Sequence, residues 1–411
     1  MPWKTCDAMK LKRDFVELAL RDEIGFRQLC RNFGISPPTG YKWLARYREA
    51  GVAGLAEKSR ARLNQPLKTT VPIEELILDA RRKHPAWGAR KLRHWLARKG
   101  HGDLPQPSTI TGILRRHGLL EEGSAARPGG APWKRFEREA PNELWQMDFK
   151  GWFPLSRGGN CHPLTILDDH SRFNLVLDAC GGETGGIVRP RLENAFRTYG
   201  LPEAILCDNG RPWGDSRGCF SSLEAWLLRV GVEVRHGRPC HPQTQGKEER
   251  FHRTLKHELL SRTTAWRDLE HCQERFGEWR ELYNHERPHD ALGGDVPASR
   301  HRASVRIFPE QLREAESWYE PGEEVRMVKE KGEMTWRNVF WTVGRAFAGQ
   351  KVVMRPLGER KWEVVYCWKR IGEIDLDAME GKSKGWYEPL RNRFDQKAED
   401  AKSVKDVPEQ V

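Results

Sequence analysis

Three carboxylates stand in settings where a charged side chain could do chemistry. Asp148 interrupts an otherwise apolar strand, where an ionised group is costly unless a metal ion or a partner compensates it. Asp208 ends the apolar run 204–207, and the carboxyl end of a strand is where open sheets bind ligands. Glu249 lies early in a predicted helix over residues 247–260. Chemistry at these acids requires that folding bring three distant segments together.

Each acid also has an ordinary structural explanation. Asp148 could face solvent from one side of its strand. The Asp-Asn-Gly of residues 208–210 is a common hairpin turn, although no alternating strand follows it here. Glu249 shares a helix face with Arg253 and Lys256, as it would in a surface ion-pair ladder. None of the three establishes a site by itself.

The elements around these acids predict a mixed sheet flanked by helices. Three apolar runs separated by turn residues indicate hairpin-connected strands over 144–155, 164–167 and 173–179. Helices and short strands alternate after them: a helix ending near Gly200, strands at 204–207 and 232–234, and helices around 223–230 and from Gly246. This order is α+β shading into α/β.

Positive charge is concentrated in the first third of the chain. Residues 1–140 contain 28 Lys or Arg and 15 Asp or Glu, whereas residues 141–411 contain 42 and 43. The formal net charge of +12 is therefore confined to one region. Such asymmetry is typical of an arm that binds polyanions, with a solvated basic face as the alternative.

Apolar residues recur at helical spacing through residues 10–50 and predict three short helices. Ser36 and Pro37 supply the N-cap and first residue of the third helix. This is a helix-turn-helix layout, whose second element presents side chains to the major groove of DNA. Gly40 disfavours the helix by about 1 kcal/mol, and an ordinary helical bundle is the alternative. The expected DNA contacts are Thr39, Tyr41, Lys42 and Arg46.

A second basic helical unit is predicted over residues 71–120, with Arg90, Lys91 and Arg93 as its DNA contacts. Two such units in tandem predict a bipartite reader that spans more than one turn of DNA. Residues 121–141 are rich in Gly, Pro and Ala without period and read as a linker. Short strands over 321–376 predict a small β-barrel, and the polar tail 377–411 is expected to fray.

Several protein classes are excluded by composition. Mean hydropathy is −0.75, and no apolar run approaches the roughly 20 residues of a spanning helix, so no membrane partner is expected. The nine cysteines include no C-x-x-C pair, which argues against a disulfide framework or a four-cysteine zinc site. The start of the chain lacks a secretory signal, which predicts a cytosolic protein.

Taken together, the acidic segments resemble the retroviral-integrase-like catalytic core of bacterial insertion-sequence transposases. The resemblance rests on the ordered segments 146–150 (QMDFK), 166–172 (ILDDHSR), 206–210 (LCDNG), 241–251 (HPQTQGKEERF) and 283–292 (YNHERPHDAL). Residues 87–92 and 107–110 are similar to the DNA-binding region of the same family. The likeness covers roughly residues 10–375.

The resemblance implies a ribonuclease H-like core in which Asp148, Asp208 and Glu249 form the acidic triad. Glu248 is adjacent, but the family pattern has its acid three residues after the glycine, which selects Glu249. Asp168 and Asp169 are expected in a turn, not as ligands. The glycine-rich stretch 181–186 departs from the pattern and is expected not to touch the triad.

The resemblance further implies two Mg²⁺ ions per site, with Mn²⁺ as a substitute. Asp148 would bridge both ions, and Arg253 and Lys256 would grip the DNA end. The implied reaction is cleavage at the ends of the element, followed by attack of the 3′-OH on target DNA. The implied partners are double-stranded DNA, both element ends and target, and further copies of the chain in at least a dimer. The expected location is the bacterial cytoplasm, on the nucleoid.

The expected organisation is a helix-turn-helix domain at 1–65, a second helical domain at 66–120, the linker, a catalytic core at 142–305, the barrel and the tail. Two other functions stay open. A non-catalytic DNA-binding regulator would keep the core only for assembly, which an intact triad argues against. A ribonuclease H-type nuclease would share the metals but would leave the two basic helical units unexplained.

Overall fold

The computed structural model describes residues 8–57, 69–120, 137–210, 212–214, 220–237 and 246–377, together with the backbone of 384–386 and 388–389. Its contacts group the chain into two units, residues 1–69 and 70–411. The predicted boundary at 65 and 66, most of the predicted linker and nearly all of the tail lie outside the described residues.

The first unit contains the three predicted helices, α1 (Ala8–Arg21), α2 (Phe26–Asn32) and α3 (Pro37–Ala50). Ser36 caps α3 by accepting a hydrogen bond from the Thr39 N–H at 3.4 Å. Gly40 is required by packing, because a Cβ there would lie 2.8 Å from Cys30 Sγ and 2.9 Å from Phe15 Cζ. The close approach of α3 to α1 and α2 therefore outweighs the weak helix propensity of glycine.

A second three-helix cluster opens the second unit, with α4 (Val71–Lys83), α5 (Ala89–Arg98) and α6 (Pro107–Arg116). Its core includes Ile77, Leu92 and Ile110, all fully buried. Leu282, from the following domain, packs against this same core. The second helical cluster is therefore joined to the domain that follows it.

A six-stranded mixed sheet forms the centre of the second unit. Its order is β2-β3-β1-β5-β6, with β4 paired to β3. The first three strands in sequence are antiparallel, whereas β5 is parallel to both β1 and β6. The elements are β1 (Leu144–Phe149), β2 (Phe153–Pro154), β3 (Asn160–Asp168), β4 (Asn174–Cys180), α7 (Gly185–Tyr199), β5 (Ala204–Cys207), α8 (Ser222–Val230), β6 (Glu233–His236), α9 (Gly246–Glu258) and α10 (Leu269–Glu281).

Helices cover both faces of this sheet, as the sequence predicts. One apolar cluster joins the sheet to α7 and α8, through Phe196 and Leu227 among others. The other joins it to α9 and α10, through Phe251 and Phe276. Because both faces are covered, β1 and β3 are apolar on both sides, and the acids and polar groups they carry are forced toward the interior.

The C-terminal strands form two open sheets, so the predicted small β-barrel is not confirmed. One sheet has the order β14-β12-β11-β10-β7 and the other β13-β9-β8. Among the described residues the β8–β9 hairpin pairs with β13 and not with the larger sheet, whose outer strands are β7 and β14. The strands are β7 (Glu324–Met327), β8 (Glu333–Trp336), β9 (Val339–Thr342), β10 (Lys351–Pro356), β11 (Lys361–Tyr366), β12 (Lys369–Asp375), β13 (Lys384–Trp386) and β14 (Glu388–Pro389).

Both sheets share one apolar core with α8. Ala225 and Leu228 of α8 pack into the cluster that contains Trp336 and Trp341. The Trp368 indole N–H donates to the Leu228 carbonyl at 2.9 Å. The C-terminal strands therefore brace the helix that lies over β5 and β6.

Among the described residues, no helix combines the length and apolar character that a membrane crossing needs.

Candidate active site

The pairing of β1 with β5 brings two of the three predicted acids together. These strands are parallel, with Leu144 opposite Ala204 and Gln146 opposite Leu206. Two residues further in the same register, Asp148 is level with Asp208. Both carboxylates therefore lie at the carboxyl ends of adjacent parallel strands, where open sheets bind ligands. We call this end of the sheet the acidic edge.

The electrostatics of this pair are unfavourable for two ionised groups. Burial, together with the negative charge of Asp208, raises the pKa of Asp148 to about 7. Burial also raises the pKa of Asp208. One backbone N–H supports each carboxylate, from Phe149 at 2.8 Å and from Gly210 at 3.0 Å. In the described part of the chain neither aspartate has a lysine or arginine within ion-pair distance, although Lys150 partly opposes the pKa shift of Asp148 and His236 that of Asp208.

Glu183 adds a third negative charge to this edge. Its carboxylate raises the pKa of both Asp148 and Asp208. His162 Nδ1 lies 2.8 Å from Glu183 Oε1. The expectation that the glycine-rich stretch 181–186 does not touch the triad stays a prediction, although Glu183 acts electrostatically on both aspartates.

The two glutamates at the start of α9 point in different directions. Glu249 is exposed, and within the described residues its carboxylate has no hydrogen bond or ion pair. Glu248 is fully buried: it accepts a hydrogen bond from Thr165 Oγ1 at 3.1 Å, and its Oε1 has no partner. Burial and the charge of Asp148 raise the pKa of Glu248 well above its usual value. The structure thus brings Glu248, and not Glu249, toward Asp148.

His252 closes the interior side of the site. Its Nε2 lies 2.8 Å from Thr165 Oγ1 and 3.6 Å from Glu248 Oε2, and its Nδ1 lies 3.9 Å from Asp148 Oδ2. Burial lowers the pKa of His252 to about 3, so the imidazole is neutral at physiological pH. Among the described residues no three His, Cys, Asp or Glu side chains converge as a ready metal site. The motif residues 241–245 that precede α9 lie outside the described part.

Asp168 and Asp169 lie at the turn between β3 and β4 and are fully satisfied. Asp168 accepts hydrogen bonds from the Asn142 N–H at 2.7 Å and from the Ser171 N–H and hydroxyl at 2.7 and 2.6 Å. Asp169 accepts one from Gln146 Nε2 at 2.6 Å and pairs with Lys247 Nζ at 2.5 Å. Neither needs a metal ion.

The predicted DNA contacts in the first unit lie on α3. Tyr41 is 58% exposed and stacks on Phe26 with ring centroids 4.1 Å apart. Lys42 is exposed, and the Arg46 guanidinium lies over the Trp43 ring at 5.1 Å. Thr39 is half-buried and its hydroxyl bonds that of Ser36 at 2.9 Å. Three of these four side chains therefore combine an aromatic or basic group with access to solvent.

The predicted contacts on α5 are divided between solvent and the catalytic domain. Arg90 is exposed and Arg93 is half-buried. Lys91 faces the catalytic domain, where burial lowers its pKa and the carboxylates of Glu258 and Asp290 oppose that shift. The sequence does not indicate which basic residues of α5 face solvent and which face the following domain, because a basic helix face has the same composition in both cases.

Further contacts hold α5 against the segment that follows α10. The Trp95 indole N–H donates to Glu286 at 3.2 Å, and Arg98 donates to the His285 carbonyl at 3.2 Å. Gly294 has φ +97°, and a Cβ there would lie 2.3 Å from His94 Nδ1. The segment 283–292, quoted above for its resemblance, is thus a docking surface for α5. Arg253 and Lys256 are exposed on the face of α9 that carries Glu249, as predicted from their spacing.

The mixed sheet with helices on both faces defines a ribonuclease H-like core, which follows helix-turn-helix elements in the sequence. Family profiles agree: two described as Integrase core domain match residues 138–242 and 230–297. A Helix-turn-helix domain profile matches residues 11–62 and a Homeodomain-like domain profile matches 39–114. The IS481 family transposase C-terminal domain profile matches residues 323–382.

Similar proteins are encoded by insertion elements. The chain is 30% identical over 244 residues to the uncharacterized 31.7 kDa protein of insertion element IS407 from Burkholderia multivorans, covering 57% of this chain and 81% of that one. It is 26% identical to the 39.2 kDa protein of IS476 from Xanthomonas euvesicatoria, covering 62% and 72%. The chain belongs to the family of insertion-sequence transposases with a retroviral-integrase-like core.

Solved structures with a similar chain come from retroviruses. A simian T-cell lymphotropic virus intasome, in complex with PP2A regulatory subunit B56 gamma, matches with 16% identity and a TM-score of 0.35, over 67% of this chain and 92% of that one. The HTLV-2 integrase catalytic core domain in complex with magnesium matches with 15% identity and a TM-score of 0.30, over 40% and 99%.

Proposed function

We propose that this protein binds the terminal repeats of an insertion sequence, cleaves the DNA to free 3′ ends and joins those ends to target DNA. The observation that carries the proposal is the register of β1 and β5, which brings Asp148 level with Asp208, together with the raised pKa values of both carboxylates. Ionisable groups with perturbed pKa values are most often found at functional sites.

The donor set of this edge fits Mg²⁺, with Mn²⁺ as a substitute, because it consists of carboxylate oxygens. Asp148 and Asp208 would be the residues that hold the ions. When bound, a pair of such ions activates the attacking oxygen and stabilises the leaving oxygen of a phosphodiester. The chain's own contribution is to hold the carboxylates on adjacent strands and to exclude water behind them with Thr165 and His252.

We propose Glu249 as the third ligand. Its carboxylate is free of described partners and lies on the first turn of α9, the helix whose buried face packs near β1. Glu248 is the competing candidate because it lies close enough to Asp148 for that carboxylate to raise its pKa, but Thr165 holds it in the interior. An interior carboxylate cannot reach DNA, whereas an exposed one can meet a metal that DNA also contacts.

DNA binding is proposed for the exposed basic and aromatic residues of α3 and for Arg90, Arg93, Arg253 and Lys256. Exposed Ser108, Thr109 and Arg115 of α6, the third helix of the second cluster, are further candidates that were not predicted as DNA contacts from the sequence. Lys91 is the exception, because it meets core carboxylates. We propose that the active form is at least a dimer, since joining two ends to one target needs two 3′-OH groups. Light scattering of the full chain with end duplexes measures this.

The experiment compares four isosteric substitutions in the full chain: Asp148→Asn, Asp208→Asn, Glu249→Gln and Glu248→Gln. Each keeps the side-chain shape and removes its charge. We expect the first three to reduce cleavage and joining to background while end binding, measured by gel shift, is unchanged. Glu248→Gln should retain most activity and serves as the matched control one residue away.

Strand joining and cleavage are assayed separately, with Mg²⁺, Mn²⁺ or EDTA. Wild-type protein that binds ends but never cuts would indicate a regulator. Cleavage of an RNA–DNA hybrid without joining would indicate a ribonuclease H-type nuclease. If Glu248→Gln lost activity while Glu249→Gln kept full activity, Glu248 and not Glu249 would be the third ligand.

A further inference from the structure

A groove of about 600 Å³ lies beside the acidic edge and is not used by the proposed chemistry. It begins at Lys150, two residues after Asp148, and continues along the β1–β2 connection to the loop after α9. Lys150 is close enough to Asp148 to oppose the rise in its pKa. Lys150 therefore links the groove to the site where a DNA strand would be cut.

The lining of this groove combines aromatic rings with positive charge. Trp152 is 62% exposed, which is unusual for the largest apolar side chain. Phe153 and Trp266 pack together below it with ring centroids 5.1 Å apart. Lys150 and Lys256 are the charged residues among the lining side chains, and no carboxylate lines it. The groove is therefore locally positive, whereas residues 141–411 as a whole are close to neutral.

The groove walls are built into the fold. The Ser156 N–H donates to the Trp266 carbonyl at 2.8 Å, and the Arg157 N–H donates to the Arg267 carbonyl at 3.1 Å. Arg157 also pairs with Asp268 at 2.8 Å. These bonds tie the turn after β2 to the loop before α10. A ligand would meet an existing surface and would not have to order it.

We propose that this groove binds an unpaired nucleotide of the DNA strand at the cleavage site, with its base stacked on Trp152 and its phosphate held by Lys150 and Lys256. Aromatic faces bind any base, and lysines beside them neutralise the backbone. Removing one nucleotide from the duplex at the scissile position gives the acidic edge access to the phosphodiester. This inference rests on the proposed function and names the subsite that the same reaction would use.

The first test maps contact without catalysis. The full chain, in EDTA, is irradiated with a 20-base-pair duplex that carries a four-nucleotide unpaired 3′ tail containing 5-iodouracil. We expect crosslinks to the peptide that contains Trp152, at least about fivefold more than from the fully paired duplex, lost in Trp152→Ala and kept in Trp152→Phe. Addition of free 5-iodo-dUMP in place of the duplex distinguishes a strand from a free nucleotide. Equal crosslinking in Trp152→Ala, or none in the groove, would overturn the proposal, as would efficient labelling by the free nucleotide alone.

The second test measures joining. Trp152→Ala should slow the joining of fully paired ends about tenfold, as expected for the loss of one stacked base. Ends whose last bases are already mismatched should lose less, and Trp152→Phe should remain near wild type. Trp318→Ala is the matched control, since Trp318 is also exposed (36%) but lies outside the groove. An equal loss with paired and mismatched ends would contradict stacking. If the wild type joins nothing, the proposed function fails while the crosslinking result still decides the groove.

Discussion

Two pairs of aspartates lie on the same sheet, and their surroundings are opposite. Asp168 and Asp169 are fully buried, yet hydrogen bonds and the Lys247 ammonium satisfy them. Asp148 is half-buried and Asp208 is exposed, yet desolvation first and nearby carboxylates second raise the pKa of each, and a single backbone N–H supports each carboxylate. Burial alone therefore does not distinguish a functional acid from a structural one.

The two pairs differ in how many hydrogen-bond donors and positive charges surround each carboxylate. A carboxylate that stabilises a fold is surrounded by donors from its own neighbourhood, as Asp168 is by Ser171 and Asn142. A carboxylate kept for chemistry lacks such donors, and the fold loses stability until a ligand supplies the missing charge. The comparison predicts that the two pairs respond in opposite ways to removal of charge.

The largest effect on stability is expected for Asp168→Asn. The amide turns an N–H₂ toward donors that now lack an acceptor, and loss of several charge-assisted hydrogen bonds should cost about 4 kcal/mol. Asp208→Asn, the matched control from the other pair, should not be destabilised. Native-state hydrogen exchange of the β1 and β3 amides measures both, because a multidomain chain need not unfold in one step. Equal losses in the two variants would erase the distinction between the pairs.

A smaller loss is expected for Lys247→Met. Removal of the ammonium leaves the buried Asp169 carboxylate with its hydrogen bonds but without its ion pair, at a cost of about 3 kcal/mol. The double variant Lys247→Met with Asp169→Asn should recover most of this loss, because neither charge is then stranded. Lys256→Met removes an exposed lysine from the same helix and should leave stability unchanged. Without that recovery in the double variant, Lys247 would act through packing alone.

The smallest effect concerns pH. In the folded state the pKa of Asp148 is about 7, above its usual 3.8. The folded state therefore binds a proton more tightly, and wild-type stability should fall as pH rises from about 4 to 7. Asp148→Asn lacks this loss, so in EDTA it should be about 2 kcal/mol more stable than wild type at pH 8 and equal to it at pH 3.5. A difference that is constant with pH would show that Asp148 is not strained by charge.

Much of the central fold could be predicted because its signals are local. Apolar runs and turn residues give β1, β3 and β4 and place Asp208 at the end of a strand, whereas its position level with Asp148 was implied by the family resemblance. Glu248 lies three residues before Phe251 on the apolar stripe of α9, and the structure buries Glu248 while Glu249 is exposed. The choice of Glu249 rested on the family pattern and not on this helix phase.

Features that depend on distant pairing could not be predicted. A set of short strands does not reveal whether its edges meet, so the expected barrel became two open sheets. The return of Glu183 to the acidic edge depends on the path between β4 and α7. The approach of α5 to Gly294 joins residues 200 positions apart, and the basic composition of α5 pointed toward DNA instead.

The close packing of α5 against Gly294 has a consequence for which segments relatives of this protein could exchange. Residues 8–57 possess an apolar core of their own and could be exchanged between relatives as a cassette. The helices at 71–116 could not, because His94 and Trp95 are matched to Gly294 and Glu286 far along the chain. A hybrid spliced in the Gly- and Pro-rich segment 121–136 would combine α5 of one relative with the Glu286 and Gly294 region of another. The viable crossover lies earlier, between residues 58 and 68, despite the more obvious linker composition downstream.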